Sequence, residues 1–282
     1  MAKLTTFKIG GPLDLLVEPE NLDDLRRVLT FCRDQEITWL IIGRGSNLLV
    51  RDKGIRGIGI RLAGSFVEWE ADETRVTAGA GVILTDLAKG TACLGLTGLE
   101  FACGIPGTVG GAVFMNAGAY DGEMSRVITI VEAFDALTME LIRFTSAELE
   151  FGYRHSRFQK ESKLVVTSLT LQLQRSDPED ANHKITELTC RRENSQPLDM
   201  PSAGSVFRRP EGYFVGTLIT EAGLRGFAIG GAQVSTKHGG FIVNKGNATA
   251  ADVLALIKHI QKVIKERAGV ELIPEYRIIG EE

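Results

Sequence analysis

Residues 98–122 read GLEFACGIPGTVGGAVFMNAGAYDG, and seven of these 25 positions are glycine. That density is far above the ordinary share of about 7%, and charge within the stretch is confined to Glu100 and Asp121. Glycine admits positive φ and carries no Cβ to stand between a peptide N–H and a ligand oxygen. Clustered glycines therefore cradle phosphate or let two backbones cross closely. A second loop, Gly43-Arg44-Gly45-Ser46-Asn47-Leu48, follows the apolar run 39–42 and opens like a dinucleotide fingerprint. The pattern G-x-G-x-x-G needs glycine where Leu48 stands, and Leu49 and Val50 begin a strand where the pattern needs a helix, so a Rossmann site is disfavoured. The N–H groups of Arg44 to Asn47 can still form an anion nest, with the Ser46 and Asn47 side chains as further donors. Two such loops in one N-terminal half suit a ligand with two phosphates and an extended body, and a nucleotide cofactor fits.

Outward from these loops the chain reads as mixed α and β. A strand over 13–17, a helix capped by Asn21 and a strand over 39–42 form a β-α-β unit. Strands are expected over 57–62, 66–71 and 74–80, a helix over 85–94, and a hairpin from 127–134 and 141–144, followed by a strand over 164–173. The polar run Arg175-Ser-Asp-Pro-Glu-Asp-Ala-Asn-His183 is the clearest linker in composition, and a domain boundary is expected there. Beyond it come helices over 180–192 and 215–222, short strands over 227–229 and 241–243, and a long helix over 249–268 with Thr249 as cap and Gly269 as stop. A last strand over 271–279 carries Pro274, which favours an edge or a bulge. The expected division is 1–65, 66–175 and 176–282.

Composition narrows the function. The 282 residues are 44% hydrophobic and 24% charged, as in ordinary globular proteins, and the net charge of −4 argues against general nucleic-acid affinity. The N-terminus shows no apolar signal region and no later run is long enough to span a membrane, so a cytosolic location is expected. Cys32, Cys93, Cys103 and Cys190 show no CxxC or zinc spacing, and His155, His183, His238 and His259 form no HxH or HExxH pair. Reduced thiols and no metal site are expected. Neither glycine loop ends in GK[ST], which excludes a Walker P-loop.

Read together, the blocks carry a resemblance. Thr6-Phe-Lys-Ile-Gly-Gly11, the loop from Gly43 to Val50, and Gly104-Ile-Pro-Gly-Thr-Val-Gly-Gly-Ala-Val-Phe-Met-Asn-Ala-Gly-Ala-Tyr120 resemble the UDP-N-acetylenolpyruvoylglucosamine reductases of peptidoglycan synthesis. Tyr153-Arg-His-Ser156, Pro201-Ser-Ala-Gly-Ser-Val-Phe207, Gly230-Gly-Ala-Gln-Val-Ser235 and Pro274-Glu-Tyr-Arg277 continue the match in the family's order. The resemblance implies an α+β chain: an FAD-binding fold of the vanillyl-alcohol-oxidase type in two subdomains, and a C-terminal α/β domain for the sugar nucleotide. It implies non-covalent FAD, with no tether at Cys103 or His155, and NADPH as reductant. FAD contacts are then expected at Gly43, Arg44, Gly45, Ser46, Asn47, Leu48, Gly104, Ile105, Gly107, Gly110, Gly111, Ala112 and Asn116.

For the reaction, the resemblance implies reduction of the enolpyruvyl double bond of UDP-N-acetylglucosamine enolpyruvate. Hydride delivered to the β-carbon pushes electrons toward the carboxylate, which calls for fixed positive charge and donors. The resemblance assigns Arg154 to that clamp, Ser205 to protonation of the α-carbon and Glu275 to enolate stabilisation or proton relay. A guanidinium forks onto carboxylate oxygens and keeps its proton. A serine hydroxyl is a weak acid that serves only a strongly basic carbanion. Glu275 and Arg277 project to one face of an extended segment. Further substrate contacts are expected at Arg209, His238 and Arg277. Arg209 stands where many members carry asparagine, and the short interval between Arg154 and Ser205 suggests the subtype without a tyrosine-bearing lid. A monomer is expected. The rival readings are a flavin oxidase of an alcohol or sugar on the same fold, and a nucleotide-binding protein without catalysis.

Overall fold

The longest strand, Leu164–Gln172, turns Val165, Leu169 and Leu171 inward and is the middle of a five-stranded antiparallel sheet. A computed structural model describes residues 1–282. Across that sheet the order is Glu140–Thr145, Ile128–Asp135, Leu164–Gln172, Arg75–Gly79 and Trp69–Asp72. The expected hairpin closes with Asp135 opposite Glu140. Six α-helices accompany the strands: α1 (Leu22–Asp34), α2 (Leu84–Cys93), α3 (Val109–Met115), α4 (Pro178–Ser195), α5 (Val215–Glu221) and α6 (Ala250–Ala268). The expected α+β class holds. No helix is long and apolar enough to cross a membrane, and all four cysteines are free thiols.

Two compact units share the chain. One comprises 15–43 and 58–192; the other comprises 1–14, 44–57 and 193–282. The three consecutive segments expected from the sequence cut the chain differently. Arg175, expected to open the linker, pairs with Leu96, and α4 buries Ala181, Ile185 and Leu188 in the same core as the five-stranded sheet. A polar run read as linker is thus the solvated start of a helix, because Pro suits a first helical turn and Glu179 and Asp180 complement its dipole. At the other end of the chain, the Asn21 cap holds: its side chain accepts from the Asp24 N–H at 2.9 Å. The β-α-β unit is real but not adjacent, since Ile55–Ile60 lies between Leu13–Val17 and Trp39–Ile41.

In the unit that carries the C-terminus, α6 is the largest apolar contributor. Val253, Leu256, Ile257, Ile260 and Ile264 form its buried stripe, each burial contributing roughly 1.5–3 kcal/mol. Thr249 and Asp252 form a reciprocal capping box, and Gly269 ends the helix at φ 69°. The N-terminal segment belongs to this core through Phe7 and Ile9, and the loop after Gly43 belongs to it through Leu49. Leu48–Val50 pairs in parallel with Arg277–Ile279. The expected last strand is therefore only its final three residues, and Pro274 makes an isolated bridge to Phe207.

Candidate active site

The glycine stretch contains a helix that the sequence reading missed. Thr108 caps α3, accepting from the Gly111 N–H at 3.3 Å. The loop before it is stitched to neighbouring backbone: Val109 N–H donates to Val82, Gly110 N–H to Ala80, and the Leu84 N–H to Gly107. The donors of Ile105 and Gly107 are likewise committed, to Ala102 and Ile105. The N–H groups of Ile105, Gly107, Val109 and Gly110 are thus paired with protein carbonyls, and the glycines of the loop serve its packing. They permit close packing: a Cβ on Gly110 would lie 2.9 Å from the Ala80 Cβ, and one on Gly104 would lie 2.4 Å from Arg192 Cδ. Gly43 meets the same loop, because a Cβ there would lie 2.6 Å from Thr108 Oγ1.

Gly111 differs from its neighbours. It is exposed, and a Cβ added there would meet only Thr108 Oγ1 at 3.5 Å. A ligand body can approach backbone at that point, which fits a flavin nucleotide better than a packed turn. Ala112 is buried and offers only its backbone. Asn116 is 1% exposed, at left-handed φ 43°. Its amide donates to Gly152 O at 3.0 Å and accepts from the Ser125 N–H at 2.9 Å. Both ends of the side chain are committed to the protein, which gives Asn116 a positioning role.

What Asn116 positions is the Tyr153-Arg154 turn. Gly152 and His155 exchange both backbone hydrogen bonds at 3.1 Å, leaving Arg154 at φ 53°. A non-glycine residue in that region is conformationally costly and concentrates at functional sites. The turn is anchored by Ser156, wholly buried, whose hydroxyl donates to Phe114 O at 2.7 Å. Gln159 donates to Phe114 O and to Arg154 O, both at 3.0 Å. The Arg154 guanidinium donates to Gly118 O at 2.8 Å and lies 5.2 Å from the Tyr153 ring centroid. The alternation and spacing used on the sequence could not reveal these anchors, since they join residues far apart in the chain.

The segments that carry Ser205 and Glu275 run side by side in the other unit. Residues 205–208 run beside 273–275: the Glu275 N–H donates to Val206 O at 2.8 Å and the Arg208 N–H to Ile273 O at 2.9 Å. Ser205 itself is exposed and bridges Phe241. Tyr276 points the opposite way from Glu275, into the core, where its hydroxyl donates to Gly204 O at 3.0 Å and its ring edge meets Phe7. Burial pushes this phenol well above the usual tyrosine value. The sequence reading passed over Tyr276, although its alternation with Glu275 and Arg277 was the available signal. Gly204 sits at φ 83°, so the residue before Ser205 is fixed by glycine on one side and by a core phenol on its carbonyl.

The loop from Arg44 to Leu48 adjoins this pair. Gly45, at φ 62°, leaves no room for a side chain, since a Cβ would lie 2.4 Å from Leu4 O. Asn47 donates its side-chain N–H to Glu275 O at 3.3 Å and accepts from the Arg277 N–H at 3.0 Å. Ser46 is half-buried and Arg44 exposed. His238 is linked to the Ser205 segment through Gly240: its Nδ1 accepts from the Gly240 N–H at 3.0 Å, and Gly240 O accepts from the Val206 N–H. Burial and the Arg225 charge lower its pKa, so the ring is neutral at pH 7 with its proton on Nε2. Arg209 stacks on Phe214, 4.0 Å from the ring centroid. No group of three His, Cys, Asp or Glu is gathered to hold a metal.

The model of an FAD binding domain matches residues 13–140, and that of the C-terminal domain of UDP-N-acetylenolpyruvoylglucosamine reductase matches 196–279. The reductase of that name from Clostridium perfringens is 48% identical over 280 residues, 99% of this chain and 91% of its own. The one from Caldanaerobacter subterraneus subsp. tengcongensis is 48% identical over 281 residues, covering 100% and 92%. A crystal structure of the reductase from Thermus caldophilus superposes with a TM-score of 0.86 at 37% identity, covering 98% of this chain and 96% of that one. With relatives of this identity aligned along its whole length and both domain models in order, the chain belongs to the UDP-N-acetylenolpyruvoylglucosamine reductase family, FAD-dependent oxidoreductases of peptidoglycan synthesis.

Proposed function

We propose that Ser205, Glu275 and Arg154 carry the NADPH-dependent reduction of UDP-N-acetylglucosamine enolpyruvate to UDP-N-acetylmuramate. The observation that carries this reading is the hydrogen bond from the Glu275 N–H to Val206 O, 2.8 Å, which sets the carboxylate segment beside the serine segment. FAD, when bound, supplies the hydride that NADPH provides. The protein's own groups manage charge and the proton. Arg154 presents a permanent cation whose fork suits the carboxylate of the enolpyruvyl group. Charge develops there as the β-carbon gains hydride, and a fixed cation stabilises it without reorganisation. Ser205 donates its hydroxyl proton to the α-carbon, and the serine recovers a proton from solvent or by relay through Glu275. The double bond thus gains one hydride and one proton.

Supporting the cofactor reading, Gly111 offers an open backbone surface and Gly43 approaches Thr108 in the unit matched by the FAD-binding model. We assign Arg44, Gly45, Ser46, Asn47, Leu48, Gly104, Ile105, Gly107, Gly110 and Ala112 to shaping that site, through packing and backbone more than through phosphate N–H contacts. His238 acts by holding the turn beside Ser205, and Arg209 and Arg277 offer charge to the sugar nucleotide. A cytosolic location accords with substrates that are both nucleotides. Anaerobic stopped-flow mixing of NADPH-reduced enzyme with the enolpyruvyl substrate tests the reading. Rapid flavin reoxidation is expected; a flavin that stays reduced, yet yields peroxide quickly in oxygen, indicates an oxidase instead.

A further inference from the structure

Ala119-Tyr120-Asp121-Gly122 is a two-residue hairpin turn, with Ala119 opposite Gly122 and Gly118 opposite Glu123. Both central residues have positive φ, 50° at Tyr120 and 63° at Asp121. Turns of this kind favour Asn-Gly or Asp-Gly, so a tyrosine here holds its backbone at a conformational cost. The turn has no freedom to relax. A Cβ on Gly122 would lie 2.6 Å from the Phe101 ring, and one on Gly118 would lie 2.5 Å from Gly122 O. Strain retained under such packing points to use of the side chain.

The side chain is held as firmly as the backbone. The Arg191 guanidinium lies 5.1 Å from the Tyr120 ring centroid, and Arg192 and Cys103 are close enough to act on the phenol electrostatically. Arg192 in turn lies against Gly104, where a Cβ would come within 2.4 Å of its Cδ. Tyr120 therefore packs at the head of the loop that leads to Gly111. Its hydroxyl is buried and makes no hydrogen bond within the protein. Native structures almost always satisfy such an atom, by protein, water or ligand. Burial raises the phenol's pKa against the opposing arginine charges, so the group is a protonated donor at neutral pH.

We propose that the Tyr120 hydroxyl donates a hydrogen bond to an oxygen of the bound flavin nucleotide. The inference rests on the FAD reading above, and the segment matched by the FAD-binding model, 13–140, includes Tyr120. It explains why a residue poorly suited to the turn occupies it, and why its polar atom lacks a partner inside the protein.

The test is flavin release from the holoenzyme, followed by the gain in flavin fluorescence. Tyr120→Phe keeps the ring and removes an atom that bonds to nothing in the protein, so the fold is unaffected. Release about tenfold faster than wild type is expected, the scale of one lost hydrogen bond. Tyr120→Asn suits positive φ, and the same acceleration in that variant shows that the lost contact, not a loosened turn, is responsible. Wild-type release from both variants overturns the proposal and leaves water as the partner. So does unchanged release with weakened binding of the enolpyruvyl nucleotide, which moves the acceptor to the substrate. A colourless wild-type protein removes the FAD reading itself, and the proposal with it.

Discussion

Arg154 is presented by a turn anchored through side chains, whereas Ser205 is presented by paired backbone and a single core phenol. At the first, Asn116, Ser156 and Gln159 each bond a carbonyl of the turn or of the helix end it rests on. At the second, Val206, Arg208 and Glu275 form a short ladder, and only Tyr276 contributes a side chain. Side-chain anchors are mutable one at a time, and each removal takes one hydrogen bond from a carbonyl of the turn or of the helix end. A backbone ladder survives substitution of the residues it displays. Chemistry and stability should therefore separate cleanly around Ser205 and be entangled around Arg154.

Ser205→Ala gives the largest effect on that contrast. Flavin reduction by NADPH should remain nearly intact while reoxidation by substrate slows by several orders of magnitude, as expected for a transition-state-only role. Stability should move by no more than about 0.5 kcal/mol, as at other exposed positions. Equal slowing of both half-reactions would end the assignment. Ser156→Ala breaks the other side of the comparison. It removes one of the two donors to Phe114 O, Gln159 being the other, and should cost up to about 1.5 kcal/mol of stability, read as a lower melting temperature together with weaker substrate reduction. An unchanged melt would show that the turn does not depend on this anchor.

Tyr276→Phe should be milder, costing about 1 kcal/mol for one neutral hydrogen bond. Its informative readout is the split between half-reactions: substrate reduction slows through loosened placement of Gly204, and NADPH oxidation does not. The smallest effect concerns His238. Its folded pKa lies below the ordinary value of about 6.5, so on acidification the unfolded chain takes up the proton first. The stability present above about pH 6.5 is lost as pH falls from there through the folded value. Denaturant melts from pH 7.5 to 5.5 should show the loss, and His238→Gln should flatten it.

Local patterns carried much of this molecule. The Asn21 and Thr249 caps, the Gly269 stop and the apolar stripe of α6 are written within a few residues of one another. The failed fingerprint at Leu48 was equally local, and a strand indeed begins there. The motif blocks named Arg154, Ser205 and Glu275 as well, but not what holds them. Helix α3 escaped notice because glycines obscure helical periodicity while Thr108 and Asn116 cap its ends. The polar run after Arg175 was misread because a solvated helix start and a linker share a composition.

By itself, then, the sequence determined five of the six helices, the hairpin around residues 135–140, the motif order and the chemistry-bearing residue types, since caps, periodicity and spacing act over short range. Only tertiary structure decided that residues 1–14 and 44–57 fold with 193–282, that the N–H groups of the loop around Gly107 are committed to backbone, and that Asn116 positions a turn. Those outcomes depend on hydrogen bonds and packing between residues distant in the chain. The glycines of 98–122 show the division most plainly. Their number predicts close approach, but only the fold reveals that most approach protein and that Gly111 faces outward.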